Sequence, residues 1–438
     1  MKIAVVGAGI SGNAAAYFLS KEHEVTLFEK RGRLGGHSAT KTITHHGDDI
    51  AVDTGFIVYN ELNYPYLVQL FDHLGVATEP SNMSFAFSAS ENGRKGAFEW
   101  AGSSLNAVFA QRSNIFKPGF WSLLRQILRF NRLARTTSTQ HKKHNLSLGD
   151  WLADNGFTNH FTNAYLLPMA AAIWSTPATD IMDFPAISFI QFFKNHRLID
   201  RDRPQWRTVK GGSRNYVKKL TAGLSDVRLN ADIHCIERTG NSVVVTHTDG
   251  TQETFDQLVM ATHSDQALAL LQDADDRETA LLEAVKYKPN QVYLHRDKSL
   301  MPKRPRTWSA WNYLSDTTGA QSGDVCVTYW MNTLQNIDKN RPVFVTLNPP
   351  QPPQEELTFG HYEYDHPQYD RAALEAQDKL PSIQGLRNTW FCGAWTGYGF
   401  HEDGLRSAVA VCKGLGVALP WETKPGSKDT DKFAEAAE

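Results

Sequence analysis

Three glycines and an acid near the start of the chain are spaced for phosphate chemistry. Gly7, Gly9 and Gly12 form G-x-G-x-x-G within KIAVVGAGISGNAAAYFLS, and Glu29 closes the apolar run EVTLFEK. The first glycine permits a tight turn, the second lets backbone approach a pyrophosphate, and the third lets a helix pack closely on a strand. Ile10 and Ser11 lie between the second and third glycines, ahead of that helix, whose positive N-terminus favours an anion. Glu29, with Lys30 after it, stands where a carboxylate accepts ribose hydroxyls. Groups suited to proton chemistry lie elsewhere: His37 ends EKRGRLGGH, and Tyr398 and His401 fall in GYGFHEDGLRSA. A histidine with a pKa near neutrality serves as acid or base, so His37, His401 and Tyr398 are the catalytic candidates.

These residues need a βαβ unit. KIAVVGAG reads as a buried parallel strand, NAAAYFLSK as a helix and EVTLFEK as the next strand. Strand, helix and acid in that order specify a dinucleotide, with NAD and FAD both open at this point. Residues 57–75 read as a helix broken by Pro65, and 82–100 as short strands. Residues 227–262 read as a meander returning to the parallel sheet, and 291–297, 307–314, 325–332 and 343–348 as four strands of an antiparallel sheet. With 438 residues, more than one domain is expected. Lys plus Arg is 45 against 47 Asp plus Glu, a net charge of -2 that argues against a nucleic-acid partner. Cys235, Cys326, Cys392 and Cys412 are scattered, which suits a reduced, cytoplasmic setting. A first strand at Ile3 leaves no room for a signal peptide, and the longest apolar stretch, 164–174, contains Pro168 and is too short to span a bilayer. The histidines of HYEYDHPQYD (361–370) and HKKH (141–144) lack a zinc spacing and read as solvated loops, so no metal is expected.

The segment EKRGRLGGH resembles the E-x-x-x-R-x-G-G-R signature of the flavin-containing amine oxidase and phytoene desaturase superfamily, with Arg33, Gly35 and Gly36 matching and His37 in place of the last arginine. VDTGF (52–56) and TWFCGAWTGYGFHEDGLRSAVAVCKGLG (389–416) resemble later motifs of that superfamily. The resemblance implies noncovalent FAD and an α/β fold, in which a Rossmann-like, glutathione-reductase-like FAD-binding domain is interleaved with a substrate domain of antiparallel sheet plus helices. The boundaries expected are 1–75, 205–270 and 385–420 for the FAD-binding domain, 76–204 and 271–384 for the substrate domain, and a flexible tail over 421–438. It also implies a backbone contact from Ile233 to the adenine. At the flavin it implies contacts from Gly393 and Ala394, and a helix near Gly404 and Leu405, capped by Glu402 and Asp403, whose free amide faces the ring. Ala394 replaces an acid that commonly holds the ribityl chain, and Cys392 does not match the covalent-flavin motif. Amine oxidases carry a lysine at N5, and Lys286 and Lys288 lie in the corresponding region. The narrower resemblance is to a bacterial subgroup of NAD/FAD-binding proteins associated with cyclopropane-fatty-acid-synthase-like methyltransferases.

Three functions stay open. One is oxidation or desaturation of a lipid-like acyl chain by hydride transfer to flavin N5. The second is oxidation of small amines. The third is non-redox binding of a lipidated partner, as in GDP-dissociation inhibitors and Rab escort proteins; a redox-neutral mutase or isomerase is a further variant. Residues 101–149 contain no Asp or Glu but carry Arg112, Lys117, Arg125, Arg129, Arg132, Arg135, Lys142 and Lys143. Within them, 118–135 reads as an amphipathic helix with Phe120, Trp121, Leu123, Leu124, Ile127, Leu128 and Phe130 on one half. It is either a cap burying that half or a peripheral contact with an anionic membrane. The composition does not specify an oligomeric state.

Overall fold

The computed structural model describes residues 1–91, 94–137, 146–174, 178–200, 202, 204–315 and 325–422. The HKKH segment and residues 423–438 lie outside them. Five parallel strands form the first sheet, in the order Asp226–Leu229, Glu24–Glu29, Lys2–Val6, Gln257–Met260 and Thr389–Phe391. After their first residues, Lys2 and Gln257, the central strands are apolar because both faces are covered. Helix α1 (Ile10–Leu19) covers one face, and the antiparallel meander of 233–239, 242–247 and 252–255 packs on the other. Helix α2 spans Pro65–Leu74. The sequence placed a helix over 57–75 interrupted by Pro65, but Pro65 starts it, since the first turn needs no amide from that residue. Tyr59–Asn60 is instead a short strand.

The second domain centres on a seven-stranded sheet in the order Thr358–Gln368, Lys286–His295, Phe344–Leu347, Cys326–Trp330, Trp311–Ser315, Phe85–Glu91 and Arg94–Ala101. Its pairs are antiparallel except Trp311–Ser315 with Phe85–Glu91, which run parallel. Thr358–Gln368 includes HYEYDHPQ, so that stretch is a strand and not a solvated loop. Helices α3 (Pro118–Thr136), α4 (Leu167–Trp174) and α5 (Ala186–Asn195) pack beside this sheet around Phe130, Leu166, Phe189 and Phe193. The inward face of α3 carries Phe120, Leu123, Phe130 and Ala134, as the cap reading requires. Trp121 and Leu128, grouped with that face from the sequence, point outward and are 51% and 66% exposed. No helix among the described residues is long and apolar enough to cross a membrane.

The chain then returns to the first sheet through Thr389–Phe391 and continues into α6 (His401–Gly414), which packs on α1. Trp421, assigned to a flexible tail from the sequence, packs edge-on against Phe18 at 5.6 Å. Its indole is large enough to hold the start of that segment against the core.

Candidate functional site

One cavity of about 720 Å³ runs from the glycine turn to the N-terminus of α6 and on into the second domain. At its first end, Gly7 adopts φ +99°, the left-handed region a side chain avoids. Gly12 touches that turn, and a β-carbon there would overlap the Gly7 carbonyl oxygen. Gly9 is extended, and a β-carbon on it would meet nothing within 4 Å. The space in front of Gly9 is therefore open, and it lies on the N-terminus of α1. Glu29 accepts hydrogen bonds from the Ala8 amide (2.9 Å) and the Arg31 amide (2.9 Å). Its carboxylate is thereby fixed at the sheet edge, beside Lys30 and Ile233 in the cavity wall. A cradle of open backbone, helix N-terminus and acid suits the ADP half of FAD.

Not every residue expected here faces the cavity. Gly7, Gly9, Ile10, Ser11, Glu29, Lys30, Gly36, His37 and Ile233 do, whereas Gly12, Arg33 and Gly35 support it. Arg33 donates to the Gly36 carbonyl at 2.8 Å, and Gly35 donates its amide to Ala8 at 2.8 Å. Together they press the second glycine loop onto the first, and a β-carbon at Gly36 would lie 3.0 Å from the Gly9 Cα.

At the ring end the turn Gly393–Phe400 lines the cavity and delivers α6. The helix begins at His401, three residues before Gly404. The Gly404 amide already donates to the Phe400 carbonyl at 3.1 Å, so it is not free for a ligand. Gly404 is instead a packing residue, since a β-carbon there would lie 2.8 Å from Ser11 Oγ and 2.9 Å from Ile10. The amides that lack intrahelical acceptors are those of the preceding turn, 401–403. Asp403 does not cap from outside but reaches back from the third position, accepting from the amides of Tyr398 and Phe400 at 3.0 Å each. Glu402 faces away and accepts from the amides of Tyr66 (2.8 Å) and Leu67 (3.0 Å) at the start of α2. Burial pushes its carboxyl up to about 7, against the lowering effect of those amides. Glu402, Asp403, Gly404 and Leu405 are all absent from the cavity wall, whereas Gly393, Ala394, Tyr398 and His401 belong to it.

The histidines are neutral at this end. His401 stacks on Phe56 at 3.7 Å, and its Nε2 is hydrogen-bonded to Ser38 (2.8 Å) and Tyr216 (3.1 Å). Burial pushes it down to about 3. His37 is held well below its ordinary value, first by burial and then by His366 and His263, and its Nε2 bonds to no described residue. The sequence placed both near neutrality; enclosure removes the water that would stabilise the charged ring. Beside His37 the fold brings Tyr364 (5.1 Å), His366 (5.6 Å) and His263 (6.3 Å), with Tyr287 stacked on His263 at 4.4 Å. None of these four was singled out from sequence as part of this site. Lys286 and Lys288 flank Tyr287 but do not line the cavity.

Burial also pushes His366 and His196 down to about 4. In the unfolded chain these imidazoles titrate near 6.5, so between about 6.5 and about 3–4 the unfolded state binds more protons and stability falls as pH falls. The thermal midpoint is expected to drop from about pH 7 to about pH 5, because these buried imidazoles together outweigh Glu402, whose raised carboxyl acts in the opposite sense over the same window. A flat midpoint across that window would contradict neutral burial.

No cysteine is among the described residues lining the cavity, and Cys392 is wholly buried in the core, where burial pushes its thiol up. This matches noncovalent FAD. Residues 9–415 match the family model of flavin containing amine oxidoreductases. A Mycobacterium tuberculosis protein, AofH, a flavin-containing monoamine oxidase by name, is 28% identical over 266 residues, 57% of this chain and 54% of that protein. The match thus spans about half the length of that relative. Among solved structures, a fatty acid isomerase from P. acnes aligns with TM-score 0.68 and 18% identity over 95% of this chain and 98% of that one. Putrescine oxidase bound to putrescine aligns with TM-score 0.66 and 16% identity over 95% and 99%. At such identities the structural likeness speaks for the fold alone. With the family model covering nearly the whole chain, the protein belongs to the flavin-containing amine oxidoreductase family, whose cofactor is FAD.

Proposed function

We propose that this chain is an FAD-dependent oxidoreductase that oxidises or desaturates a lipid-like, fatty acyl substrate. The observation that carries the reading is the far half of the cavity. It is walled by Phe85, Met169, Ile173, Phe192, Trp311 and Tyr329. Among the described lining residues from the second domain, Asp365 is the only Asp, Glu, Lys or Arg, and its charge acts at the His263 end. A methylene chain gains about 0.8 kcal/mol per CH₂ on entering such a space. A protonated amine would shed its water with no carboxylate at the aromatic end to receive it. The lack of a lysine among the described lining residues of the second domain points the same way.

Bound FAD supplies a hydride acceptor at its N5. The chain's own residues do the rest in this reading. Gly7, Gly9, Ile10, Ser11, Glu29, Lys30, Gly36 and Ile233 hold the ADP half, and Gly393, Ala394 and the first-turn amides of α6 hold the ring end, where they favour negative charge. His37 offers an uncommitted Nε2 and is the proton-handling candidate, while His401, fixed by Ser38 and Tyr216, and Tyr398 shape the wall. The division into 1–75, 205–270 and 385–420 against 76–204 and 271–384, the cytoplasmic setting and the subgroup association with lipid-modifying methyltransferases belong to the same proposal. The name of the P. acnes isomerase supports a fatty acyl substrate, and the names of AofH and putrescine oxidase support amines as the alternative.

Ala172, on α4 in the cavity wall, provides a steric test. Ala172→Trp should keep the bound flavin while slowing its anaerobic reduction by a long acyl lipid at least about tenfold, since small misplacements at the reacting carbon carry large rate penalties. An unchanged rate with flavin retained would place the substrate elsewhere.

A further inference from the structure

Among the described residues, the large apolar side chains that stand exposed are concentrated in one place. Leu105 (80%), Ile115, Phe116 (85%), Trp121 and Leu128 all lie within residues 105–128. They are carried by the short helix Leu105–Val108, the turn Arg112–Phe116 and α3. Along α3 the outward positions are Trp121, Arg125, Leu128, Arg132 and Arg135, spaced four, three, four and three apart, and each is exposed. This is one stripe of a helix, on which two apolar groups, Trp121 and Leu128, stand among three arginines. The inward stripe is separate and already packed, so the outward one is not part of the core.

The basic groups differ in what they do. Arg129 donates to the carbonyls of Asn155 and Gly156 and stacks on Phe157 at 4.9 Å, so it is a structural residue. Arg135 is 3.7 Å from Asp200. Arg125 and Arg132 form no ion pair with any described residue. The whole run 101–149 contains no acid that would neutralise them. Trp121 is oriented by a hydrogen bond from its Nε1 to the Ile115 carbonyl at 2.8 Å and by Phe109 at 5.5 Å. Its ring is therefore held in place on the surface.

We propose that this face, formed by Phe116, Trp121, Arg125, Leu128 and Arg132, docks on an anionic phospholipid bilayer. Charge complementarity selects that occupant: lipid phosphates and acidic headgroups meet the unpaired arginines, while the aromatic and aliphatic groups enter the headgroup–acyl boundary. A helix that lies on the surface in this way needs no membrane-spanning length. The placement has a consequence for the site. Helix α3 packs on α5 through Phe130 and Phe193 at 6.1 Å, and α5 contributes Phe192 to the cavity wall. A bilayer against α3 therefore lies two helix layers, α3 and α5, from the apolar half of the cavity.

The inference deepens the acyl-lipid reading but does not require it, and its test is independent of turnover. The full-length protein with its flavin is sedimented with phosphatidylcholine vesicles and with vesicles that also contain phosphatidylglycerol. Binding is expected only with the anionic lipid and is expected to fall as salt rises. Leu128→Glu and the double variant Arg125→Glu with Arg132→Glu should each weaken it at least about tenfold, with flavin content and thermal midpoint unchanged. Absence of binding to anionic vesicles would overturn the proposal. So would equal binding by wild type and both variants. If the variants instead convert a dimer to a monomer with no vesicle binding by either, the face meets a second copy of the chain and the proposal fails. Docking without reduction of the flavin by acyl lipids would retain the surface and reject the substrate reading.

Discussion

Gly9→Val should fold and be colourless, whereas Gly12→Val should not fold. The two glycines belong to one motif and differ only in what stands before them. Gly9 has backbone angles that any residue adopts (φ -71°, ψ -169°), and its missing side chain faces open space. A valine there leaves the sheet, α1 and their packing intact and fills the space where the pyrophosphate must approach. A loss of FAD affinity of at least about a thousandfold, roughly 4 kcal/mol, is expected. The measurement is the ratio of visible flavin absorbance to protein, with circular dichroism as the check on folding. At Gly12 the same change drives atoms into the Gly7 carbonyl and Ala261, where backbone blocks any retreat. Overlap in a close-packed core of this kind costs about 5 kcal/mol or more, comparable to a domain's whole stability. Retained flavin in Gly9→Val would move the cofactor away from this turn.

Asp403→Ala should destabilise the protein by about 3–5 kcal/mol, read as a shift in denaturant midpoint with flavin bound. Asp403 is 6% exposed, and its side chain satisfies the amides of Tyr398 and Phe400 while pairing with Arg406 at 2.7 Å. Each buried amide left without an acceptor costs about 1–3 kcal/mol. The same change frees the turn that carries Tyr398 and Phe400 into the cavity, so flavin dissociation should quicken as well. Asp403→Asn keeps one acceptor and should lose less. Equal stability of wild type and Asp403→Ala would mean that the turn is held by its glycines alone.

The cofactor end was legible because its determinants are contiguous. Strand, glycine turn, helix and acid fall within the first thirty or so residues, and each has its own local pattern. The ring end was harder to read for two physical reasons. The helix start was placed at Gly404 because an acid pair before a glycine resembles an outer cap, whereas Asp403 caps from inside the first turn, and a backward hydrogen bond leaves no distinct signature in residue order. His366 was lost because HYEYDHPQYD is rich in charge. Its alternation is nevertheless that of a strand: His361 and Glu363 are exposed while Tyr364 is buried. His263, with Tyr287 stacked on it, and Tyr364 come beside His37 only through contacts between segments distant in the chain, which no single sequence displays. The hairpin of Thr40–His45 with Asp48–Asp53 was missed although His46 and Gly47 take the positive φ angles of a tight turn. Histidine at the first of those positions is an uncommon signal.

The proposed FAD site opens onto a cavity half walled by aromatic and aliphatic side chains, with Asp365 the one Asp, Glu, Lys or Arg among the described second-domain lining residues. Its most direct test is the visible spectrum of the purified protein, recorded anaerobically during titration with a membrane acyl-lipid extract and, in parallel, with small amines. A two-band flavin spectrum that bleaches with the lipid and persists with the amines is the expected result. Bleaching by amines alone, or a colourless protein that stays colourless when FAD is added, would contradict it.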